Sequence, residues 1–423
     1  MAHNRRKRVG IMGLGYTGLP LALGFAEAGH PVTGYDIDAR KIAALRAHTS
    51  YLTDISGEQI AAASENLTVT GDSADLAETD AVIICVPTPV TPAGEPDLDI
   101  LQSALDTLAP LVRPEMLVIL QSTVPPGTTA AAAEFLGERS GLRAGVDFFV
   151  ANAPERINPA NRDGWTLANT PKLVGGMNED STRRAQQLLE SVCQTIVPVK
   201  NLEIAETAKV FENTFRLVNI TLTYELADLC KSLGIPVRDV IEAAATKPYG
   251  FMAHHPGPGV GGECIAVDPL FLKSVAAKSD RELPLIDTAY RRMLARPLQV
   301  ADRAEQLLDD TGRKLRGSKI LIVGVAYKPE VSDTRNSPAR DIIEELRRRG
   351  AEVSYVDPYV PELTVGDGAV HRATWERSTV MEQDCLVLTT LHEEFTERPL
   401  WYAAPLVLDA WNSSVVGDGV FHL

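Results

Sequence analysis

The chain has 423 residues, of which 45% are hydrophobic and 23% are charged, and its formal net charge is −15. This ordinary globular composition excludes a disordered or low-complexity protein and allows two or three domains. The acidic balance argues against a nucleic-acid partner. No apolar stretch reaches the roughly 18 residues that cross a membrane, so we expect a soluble protein without a membrane partner. The scattered cysteines favour the reducing cytoplasm as its compartment. The five cysteines form no C-x-x-C pair, so we expect neither a disulfide framework nor a metal site.

The N-terminus carries a dinucleotide-binding signature. A predicted strand, Val9–Met12, leads into Gly13-Leu14-Gly15-Tyr16-Thr17-Gly18, which opens a predicted helix. The first glycine of such a motif permits a tight turn, the second lets the backbone approach a pyrophosphate, and the third lets the helix pack on the strand. Asp36 ends the next predicted strand, where a carboxylate accepts the ribose hydroxyls and repels a 2′-phosphate. The sequence therefore predicts NAD as the cofactor, in preference to NADP.

Strand-like and helix-like runs alternate from residue 9 to about 200, which predicts a mostly parallel, doubly wound sheet. The clearer strands are 81–86, 116–120, 148–150 and 195–197. Ligands bind beyond the carboxyl ends of the strands in such sheets. We expect three polar turns at those ends to converge on the cofactor, namely 87–89, 121–127 and 152–156.

A long helix is predicted over 201–233, because this segment lacks proline and glycine and its apolar residues recur at helical spacing. Its length makes it a candidate contact in a homodimer. Further helices are predicted over 237–245 and from about 265 to 309, with breaks near Pro284 and Pro297. A strand at 319–324 opens a second strand-loop-helix-strand unit, with later strands at 353–357, near Cys385 and near Val407. We predict an α/β protein with two Rossmann-like doubly wound domains joined by a long central helix, divided as 1–200, 201–310 and 311–423.

Cys264 lies in a glycine-dense turn, 257–269, that can leave a thiol open. A sulfur beside a redox cofactor can trap an aldehyde as a thiohemiacetal. Hydride loss then gives a thioester, which water cleaves to an acid. The alternative is a small hydrophobe at the start of a helix, which free cysteines usually are.

Three polar residues are candidates to support this chemistry from helices. Lys209 and Asn213 lie four residues apart on one face of the long helix, where they would bond an oxyanion or order a water. The alternative for both is a solvated helix surface. Asp268 would hold a water or the lysine, or would cap the following helix.

Two further candidates follow predicted strands. Glu155 would act as a general base or acid if burial raises its pKa, and its alternative is a surface salt bridge with Arg156. Thr123 would hydrogen-bond a substrate oxygen, or is an ordinary turn threonine.

Together these residues resemble the UDP-glucose/GDP-mannose dehydrogenase family over essentially the whole chain. That family oxidises the C6 alcohol of a nucleotide sugar to a carboxylate with two NAD molecules. The resemblance rests on the following sequences: Gly13-Leu14-Gly15-Tyr16-Thr17-Gly18-Leu19-Pro20, Ser122-Thr123-Val124-Pro125-Pro126-Gly127, Pro154-Glu155-Arg156, Lys209 with Asn213, the Cys264 turn with Asp268, and Gly324-Val325-Ala326-Tyr327-Lys328-Pro329 followed by Asp333-Thr334-Arg335.

The resemblance implies a role for each matching residue. Cys264 becomes the nucleophile, with Glu155 as acid or base and Thr123 as a partner of the reacting oxygen. The polar support of the thiol is Lys209, Asn213 and Asp268. The expected cofactor contacts are Gly13, Gly15, Tyr16, Thr17, Gly18, Asp36, Lys41, Pro87, Thr88, Ser122, Thr123 and Arg335. The expected nucleotide-sugar contacts are Glu155, Arg156, Lys209, Asn213, Phe251, His255, Gly261, Tyr327 and Lys328.

Within the family, segments 154–159 and 245–252 resemble the branch that acts on UDP-N-acetylhexosamines, which favours UDP-GlcNAc or its C2 epimer UDP-ManNAc. Pro159 stands where the UDP-glucose branch has a second glutamate. Three residues depart from the branch pattern. Glu263 replaces a histidine, Ala266 replaces a proline, and Trp411 stands where an arginine is common in Asp-Thr-Arg-Asn. A carboxylate next to a thiol disfavours the thiolate unless another charge offsets it.

Three other functions remain open at this stage. The first is a UDP-glucose 6-dehydrogenase. The second is a two-electron dehydrogenase of related architecture that stops at an aldehyde or ketone and in which Cys264 is structural. The third is a non-catalytic NAD-binding protein whose site is disabled by Glu263 and Trp411.

Overall fold

The computed structural model describes residues 6–52, 54–157, 164–413 and 415–423. These residues form two compact units. The first unit comprises the described residues up to Glu212 together with Leu270–Glu282, and the second comprises Asn213–Pro269 together with Leu283–Leu423. The division into domains at 1–200, 201–310 and 311–423 stays a prediction.

The first unit is built on a sheet that has eight strands within the described residues. They are β1 Val9–Met12, β2 Val32–Tyr35, β3 Leu67–Thr70, β4 Ala81–Ile84, β5 Leu117–Leu120, β6 Phe149–Asn152, β7 Lys172–Gly176 and β8 Ile196–Val199. The strand order is β3-β2-β1-β4-β5-β6-β7-β8, and neighbours are parallel except for the β6 and β7 pair. Strands β1, β4, β5 and β6 are buried along their whole length, as expected where helices cover both faces.

Helices flank both faces of this sheet. They are α1 Gly18–Glu27, α2 Ala39–Arg46, α3 Gly57–Ala63, α4 Asp99–Leu108, α5 Thr128–Ser140 and α6 Glu179–Leu189. Successive strand residues point to opposite faces. Ile83 therefore belongs to one apolar cluster, whereas Val82 and Ile84 belong to another. The sheet is doubly wound, as the sequence predicts.

Long helices follow the first sheet. They are α7 Leu202–Leu233, α8 Val237–Ala245, α9 Cys264–Lys278 and α10 Pro284–Asp310. The predicted long helix is confirmed as α7, and the predicted break near Pro284 falls between α9 and α10. The predicted break near Pro297 is wrong, because α10 continues through it. A proline removes a helical hydrogen bond, but Arg296, Pro297 and Val300 are all buried, so tertiary packing holds this turn.

The second unit contains a parallel sheet of six strands within the described residues. The strands of this unit are β9 Lys319–Val323, β10 Glu352–Val356, β11 Thr364–Val365, β12 Gly368–Ala369, β13 His371–Arg372, β14 Cys385–Leu388, β15 Val407–Asp409 and β16 Val420–His422. Its shorter helices are α11 Pro338–Arg348, α12 Arg377–Met381 and α13 Glu393–Glu397. The sheet order is β13-β10-β9-β14-β15-β16, and β11 pairs with β12 in a separate hairpin.

The predicted fold class is confirmed, because two largely parallel sheets are separated in the chain by long helices. The sequence analysis did not predict β3, β7, β11, β12, β13 or β16. Strand β7 ends in Gly175-Gly176, and glycine is depleted in strands. Long-range pairing with β6 and β8 establishes this strand.

Two kinds of feature are not found in the described part of the chain. None of its helices combines the length and apolarity needed to cross a membrane. No group of three His, Cys, Asp or Glu side chains in the same part is placed to hold a metal ion.

Candidate active site

The three glycines of the turn between β1 and α1 have different surroundings. Gly13 has a φ of 92°, and a Cβ added there would lie 2.8 Å from the Cys85 carbonyl oxygen. A Cβ on Gly18 would lie 1.8 Å from the Gly13 carbonyl oxygen, so the helix packs directly on the turn. No described atom lies within 4 Å of a Cβ built on Gly15. The open space thus lies at the glycine that a pyrophosphate approaches in this motif.

Asp36 is buried immediately after β2, and the glycine turn holds its carboxylate. Its Oδ2 accepts hydrogen bonds from the Leu14 amide at 2.8 Å and from Lys41 Nζ at 2.9 Å. Its Oδ1 accepts from the Asp38 amide at 2.9 Å. The predicted cofactor residue Lys41 is therefore an ion-pair partner of Asp36. An acid fixed beside the glycine turn fits the ribose diol of a dinucleotide.

The turns after β4 and β5 are joined by side-chain hydrogen bonds. Thr88 Oγ1 donates to the Thr123 carbonyl oxygen at 2.5 Å, and Ser122 Oγ donates to the Val86 carbonyl oxygen at 2.7 Å. Pro87 is exposed between them. The structure thus brings together the predicted residues of these two turns at the carboxyl edge of the first sheet.

Glu206 is a buried carboxylate on α7 that the sequence analysis did not single out. Its carboxylate accepts from the Gly127 amide at 2.6 Å and the Thr129 amide at 2.7 Å, and so caps α5. Burial raises the pKa of Glu206, and these hydrogen bonds oppose the shift. The hydrogen-bond partners of Glu206 lie far away in the chain, so sequence spacing could not reveal them. The only indication in the sequence is that Glu206 lies one helical turn before Lys209 on α7.

Glu155 is largely buried, with 12% of its side chain exposed, and is bound by four donors. Its Oε2 accepts from Lys172 Nζ at 3.1 Å and Gln121 Nε2 at 3.0 Å, and its Oε1 from the amides of Arg156 and Ile157. Burial alone would raise the pKa of Glu155, but the Lys172 charge and these bonds leave it lowered. The predicted condition for a general base or acid, a pKa raised by burial, is not met.

The predicted salt bridge between Glu155 and Arg156 is wrong. The Arg156 Nη2 lies 2.7 Å from Glu212 Oε1 on α7, and Nη1 donates to the Pro171 carbonyl oxygen at 2.8 Å. The cation that pairs with Glu155 is Lys172. Lys172 lies on β7, a strand that the sequence analysis did not predict.

The polar residues of α7 are buried. Lys209 is 9% exposed and Asn213 is 5% exposed, so the alternative of a solvated helix surface is wrong for both. Asn213 Nδ2 donates to Asp268 Oδ2 at 2.5 Å. Asp268 lies inside α9, which begins at Cys264, so the alternative that it caps a following helix is also wrong. In the second unit the structure therefore places an amide and carboxylate pair one helical turn beyond the thiol.

Cys264 differs from the other cysteines in exposure, since its side chain is exposed at the start of α9 and theirs are buried. Burial raises the pKa of Cys85 and of Cys385 to about 12, and it also raises the pKa of Cys193. The alternative of a packing cysteine therefore does not fit Cys264. The four buried cysteines are Cys85, Cys193, Cys230 and Cys385.

The glycine-rich turn before Cys264 packs against Tyr327. A Cβ on Gly261 would lie 2.5 Å from the Tyr327 Cβ, and a Cβ on Gly262 would lie 3.1 Å from its ring. Gly262 also has a φ of 77°, and its amide donates to the Arg335 carbonyl oxygen at 3.0 Å. Lys328 Nζ lies 5.5 Å from the Tyr327 ring centroid. The structure thus brings together Gly261, Tyr327 and Lys328, which the sequence analysis assigned to the nucleotide sugar.

Glu263 is paired with a cation. Its Oε1 lies 2.7 Å from Arg335 Nη1, and Arg335 Nη2 lies 2.6 Å from Asp333 Oδ2. Arg335 was expected to contact the cofactor, and the ion pair with Glu263 is a contact that the sequence analysis missed.

Ala266 and Trp411, the other two residues that depart from the branch pattern, have structural roles in the second unit. Ala266 is buried in an apolar cluster of the second unit with Leu217 and Met293. Trp411 follows β15, and its amide donates to the Leu388 carbonyl oxygen at 3.1 Å.

The remaining predicted sugar contacts lie between α8 and α9. Phe251 and His255 are both exposed there. Partial burial of the His255 imidazole, with the nearby charge of Arg238, lowers its pKa. Their contact with a substrate stays a prediction.

The fold and the site define the class of protein. A doubly wound sheet whose first turn has an open central glycine and whose second strand ends in a fixed acid is an NAD-binding domain. The chain also carries a second parallel sheet and an exposed thiol at the start of a helix that holds a bonded carboxylate. These are the parts of an NAD-dependent dehydrogenase.

The chain belongs to the UDP-glucose/GDP-mannose dehydrogenase family. The NAD-binding domain of that family matches residues 7–193, its central domain matches 203–292, and its UDP-binding domain matches 321–414. The chain is therefore an NAD-dependent nucleotide-sugar dehydrogenase, as the sequence motifs predict.

Named relatives and a solved structure agree with this assignment. The chain is 36% identical over 394 residues to a UDP-N-acetyl-D-mannosamine dehydrogenase of Pyrococcus horikoshii, covering 92% of this chain and 90% of that protein. It is 33% identical to a UDP-N-acetyl-D-glucosamine 6-dehydrogenase of Pseudomonas aeruginosa, covering 84% and 83%. A solved structure of the UDP-D-ManNAc dehydrogenase from Pyrococcus horikoshii is similar with a TM-score of 0.90 and 34% identity, covering 98% of each chain.

Proposed function

We propose that this dehydrogenase carries out a four-electron oxidation of the C6 alcohol of a UDP-N-acetylhexosamine to the uronate, through a thioester on Cys264. The observation that carries the proposal is the exposed Cys264 at the start of α9, with Asp268 one turn later bonded to Asn213. An open thiol with fixed polar groups beside it suits a nucleophile better than a packing residue. A reduced thiol is required, so we also propose a reducing, cytoplasmic setting.

NAD supplies a hydride acceptor for each of two oxidations. The first oxidation converts the alcohol to an aldehyde and releases one proton. The Cys264 thiolate then adds to the aldehyde carbon, and the carbonyl oxygen takes up a proton to give a thiohemiacetal. Loss of a second hydride and a proton leaves a thioester, which water cleaves to the carboxylate and the free thiol.

Buried polar residues of the chain would serve these steps. Lys209 and Asn213, a turn apart on α7, would stabilise the oxyanion that forms at each carbonyl stage. Asp268 would fix the Asn213 amide through its 2.5 Å hydrogen bond. Glu155 would act as an electrostatic partner, because its lowered pKa keeps it ionised at neutral pH. Thr123 would contact the reacting oxygen.

The proposed sugar is UDP-GlcNAc or UDP-ManNAc. Relatives that share 36% and 33% of their residues with this chain are named for those two substrates, and each is covered over more than four-fifths of its length. The sequence over 245–252 gives independent support. Pro159, the other branch signal, lies outside the described residues. A UDP-glucose 6-dehydrogenase remains the alternative within the family.

A substrate panel tests both the sugar and the electron count. Purified protein would be assayed for NADH with UDP-Glc, UDP-GlcNAc, UDP-ManNAc, UDP-GalNAc and GDP-Man. We expect the highest kcat/KM with an N-acetylhexosamine, and two NADH for each sugar consumed. One NADH for each sugar would establish the two-electron alternative, and NAD binding without turnover on any sugar would establish the non-catalytic alternative.

The Cys264→Ser variant tests the thioester. An alkoxide forms far less readily than a thiolate near neutral pH, so we expect sustained uronate production to stop while NAD and UDP-sugar binding persist. Oxidation of the externally supplied 6-aldehyde should fail in parallel, and intact mass would detect any trapped adduct. If Cys264→Ser produces uronate at the parent rate, the thioester mechanism is wrong and Cys264 is a structural residue.

We also propose a homodimer formed through α7. Leu222, Leu229 and Leu233 on α7 are 61%, 55% and 61% exposed, and Leu294 on α10 is 57% exposed. Leucines at this density on one long helix form an apolar surface that a monomer rarely presents to water. A second copy of the chain would bury it.

A further inference from the structure

Glu263 is the residue that departs most from the chemistry expected beside a nucleophilic thiol, because it places a carboxylate next to Cys264 in the chain. The structure gives this carboxylate a partner, since Glu263 Oε1 lies 2.7 Å from Arg335 Nη1. The same guanidinium holds Asp333 through Nη2 at 2.6 Å and Nε at 3.0 Å. One arginine therefore bridges two carboxylates, of which Asp333 is nearly buried and Glu263 is about half exposed.

The ion pair joins two pieces of backbone that are already bonded. The Gly262 amide donates to the Arg335 carbonyl oxygen at 3.0 Å, and Asn336 Nδ2 donates to the Gly262 carbonyl oxygen at 3.1 Å. Gly261 and Gly262 lie too close to Tyr327 to carry a side chain without a shift. The turn that carries the thiol is thus docked on the segment Tyr327–Asn336 by packing, by two hydrogen bonds and by the Glu263 ion pair.

The charge near the thiol depends on this pair. Glu263 and Cys264 are consecutive residues, and consecutive Cα atoms are about 3.8 Å apart, so Glu263 is the acidic residue nearest to the thiol along the chain. A lone carboxylate near a thiol disfavours the thiolate, and a guanidinium bonded to that carboxylate offsets part of its field. Charged groups on the elements that carry or dock this turn include Asp333, bonded to the same arginine, Lys328 and Asp268.

We propose that Arg335 is the counter-ion of Glu263 and a positioning residue for Cys264, holding the thiol-bearing turn on the Tyr327–Asn336 segment and cancelling the carboxylate charge beside the thiol. The inference rests on the thioester chemistry proposed above. It gives Arg335 a role besides the cofactor contact that the family resemblance implies. It also explains how a nucleotide-sugar dehydrogenase accommodates Glu263 where a histidine is usual, because the Glu263 carboxylate is paired with a guanidinium.

The test is the pH dependence of Cys264 alkylation by iodoacetamide, without NAD or sugar. Cys264 is exposed and the other cysteines are buried, so the rate reports on this thiol, with Cys264→Ser as the blank. Arg335→Gln removes the charge but keeps the backbone carbonyl that binds Gly262. In this variant we expect the pH at which Cys264 is alkylated at half the maximum rate, the alkylation midpoint, to rise by about half a pH unit. Glu263→Gln should lower the midpoint, and the double variant should return towards the parent value.

A matched control is Glu305→Gln. Glu305 Oε2 lies 2.7 Å from Arg349 Nη1, it is 42% exposed where Glu263 is 45% exposed, and Arg349 likewise keeps another carboxylate, Asp302. This variant should leave the alkylation midpoint unchanged. Circular dichroism and thermal unfolding would verify that each variant is folded.

The proposal is wrong if Arg335→Gln and the double variant share one midpoint, since Glu263 would then exert no field on the thiol that Arg335 offsets. It is equally wrong if Arg335→Gln behaves like Glu305→Gln. These outcomes are separate from a failure of the proposed function, which would appear as uronate production by Cys264→Ser at the parent rate while the alkylation midpoints still shift.

Discussion

Asp36 shows how one residue can serve both the turn and the cofactor. Its carboxylate already accepts hydrogen bonds from Leu14, Asp38 and Lys41, which fix it immediately after β2. A fixed acid bonds the ribose diol without further ordering, and its charge repels a 2′-phosphate. Lys41 shares the site, so removal of the acid would leave a cation beside the ribose position.

We predict that Asp36→Ala raises the Kd for NAD by about ten- to a hundredfold, because hydrogen bonds to a charged group contribute about 1.5–3 kcal/mol. The preference for NAD over NADP should narrow, since Lys41 becomes free to meet the 2′-phosphate. Asp36→Asn removes the charge but keeps an acceptor for the Leu14 amide. Comparing it with Asp36→Ala distinguishes the effect of the lost charge from the effect of a disrupted glycine turn. Fluorescence titration with both dinucleotides measures the effect, and an unchanged preference would remove Asp36 from the cofactor site.

Glycine is required at positions 15 and 18 for different reasons. The Cβ position of Gly15 is open, whereas a Cβ on Gly18 would lie 1.8 Å from the Gly13 carbonyl oxygen. Gly15→Ala should keep the free energy of unfolding within about 1 kcal/mol of the parent value and weaken NAD binding. Gly18→Ala should lower the free energy of unfolding by about 1–3 kcal/mol, because the helix must shift off the turn. Denaturant unfolding with NAD titration distinguishes the two, and equal stabilities would contradict this assignment.

At the scale of elements, the two sheets use the same device after their first strands. Gly13 and Gly324 both have positive φ, and the next amide donates to the acid after the second strand, from Leu14 to Asp36 and from Val325 to Asp357. The second turn lacks the open glycine, since Ala326 stands two residues after Gly324. The acid of the second unit is also bonded to His392, so it serves the structure of that unit.

Helix α7 is the element on which the proposed homodimer depends. Leu222→Asp combined with Leu229→Asp should shift the protein to monomers, because burying two carboxylates in an apolar contact is unfavourable. Met381→Asp is the control, since Met381 on α12 is 59% exposed in the same unit. Sedimentation velocity gives the oligomeric state. A parent protein that is monomeric at assay concentration would rule out the proposed dimer.

For the molecule as a whole, the buried Asp357 predicts loss of stability in acid. Burial alone would raise the pKa of Asp357, but hydrogen bonds from His392 and from the Val325 and Ala326 amides outweigh it and leave the pKa lowered. A carboxyl with a lowered folded pKa adds stability above its unfolded value of about 3.9, and that stability is lost as the pH falls through the folded value.

We therefore predict that the free energy of unfolding falls steeply below about pH 4 in the parent and less steeply in Asp357→Asn, which has no carboxyl to protonate there. Asp357→Asn should also be less stable at pH 7, since a buried charged hydrogen-bond network is lost. Asp367→Asn, at an exposed turn, is the control and should follow the parent. Urea unfolding between pH 7 and pH 3 measures the slopes, and parallel curves for all three would show that Asp357 does not contribute.

The sequence by itself determined the features that depend on local pattern. The G-x-G-x-x-G spacing and Asp36 predict the NAD domain, because phosphate binding needs glycine at fixed offsets and an acid after the next strand. The proline-free and glycine-free run predicts α7. The same local motifs identify the family. Strands β3 and β7 were missed because short or glycine-containing segments carry weak periodicity, and neighbours in the sheet decide their conformation.

Only the tertiary structure decided which partners the charged side chains take. Lys172 lies beside Glu155 and keeps it ionised, Glu206 caps α5, and Arg335 neutralises Glu263. Each partner is separated in the chain by 17 to 79 residues, so no spacing rule reveals it. Burial of Lys209 and Asn213 was likewise undecidable from helical periodicity. The pKa of a carboxyl depends on charges and solvent within a few ångströms, and folding alone sets that distance.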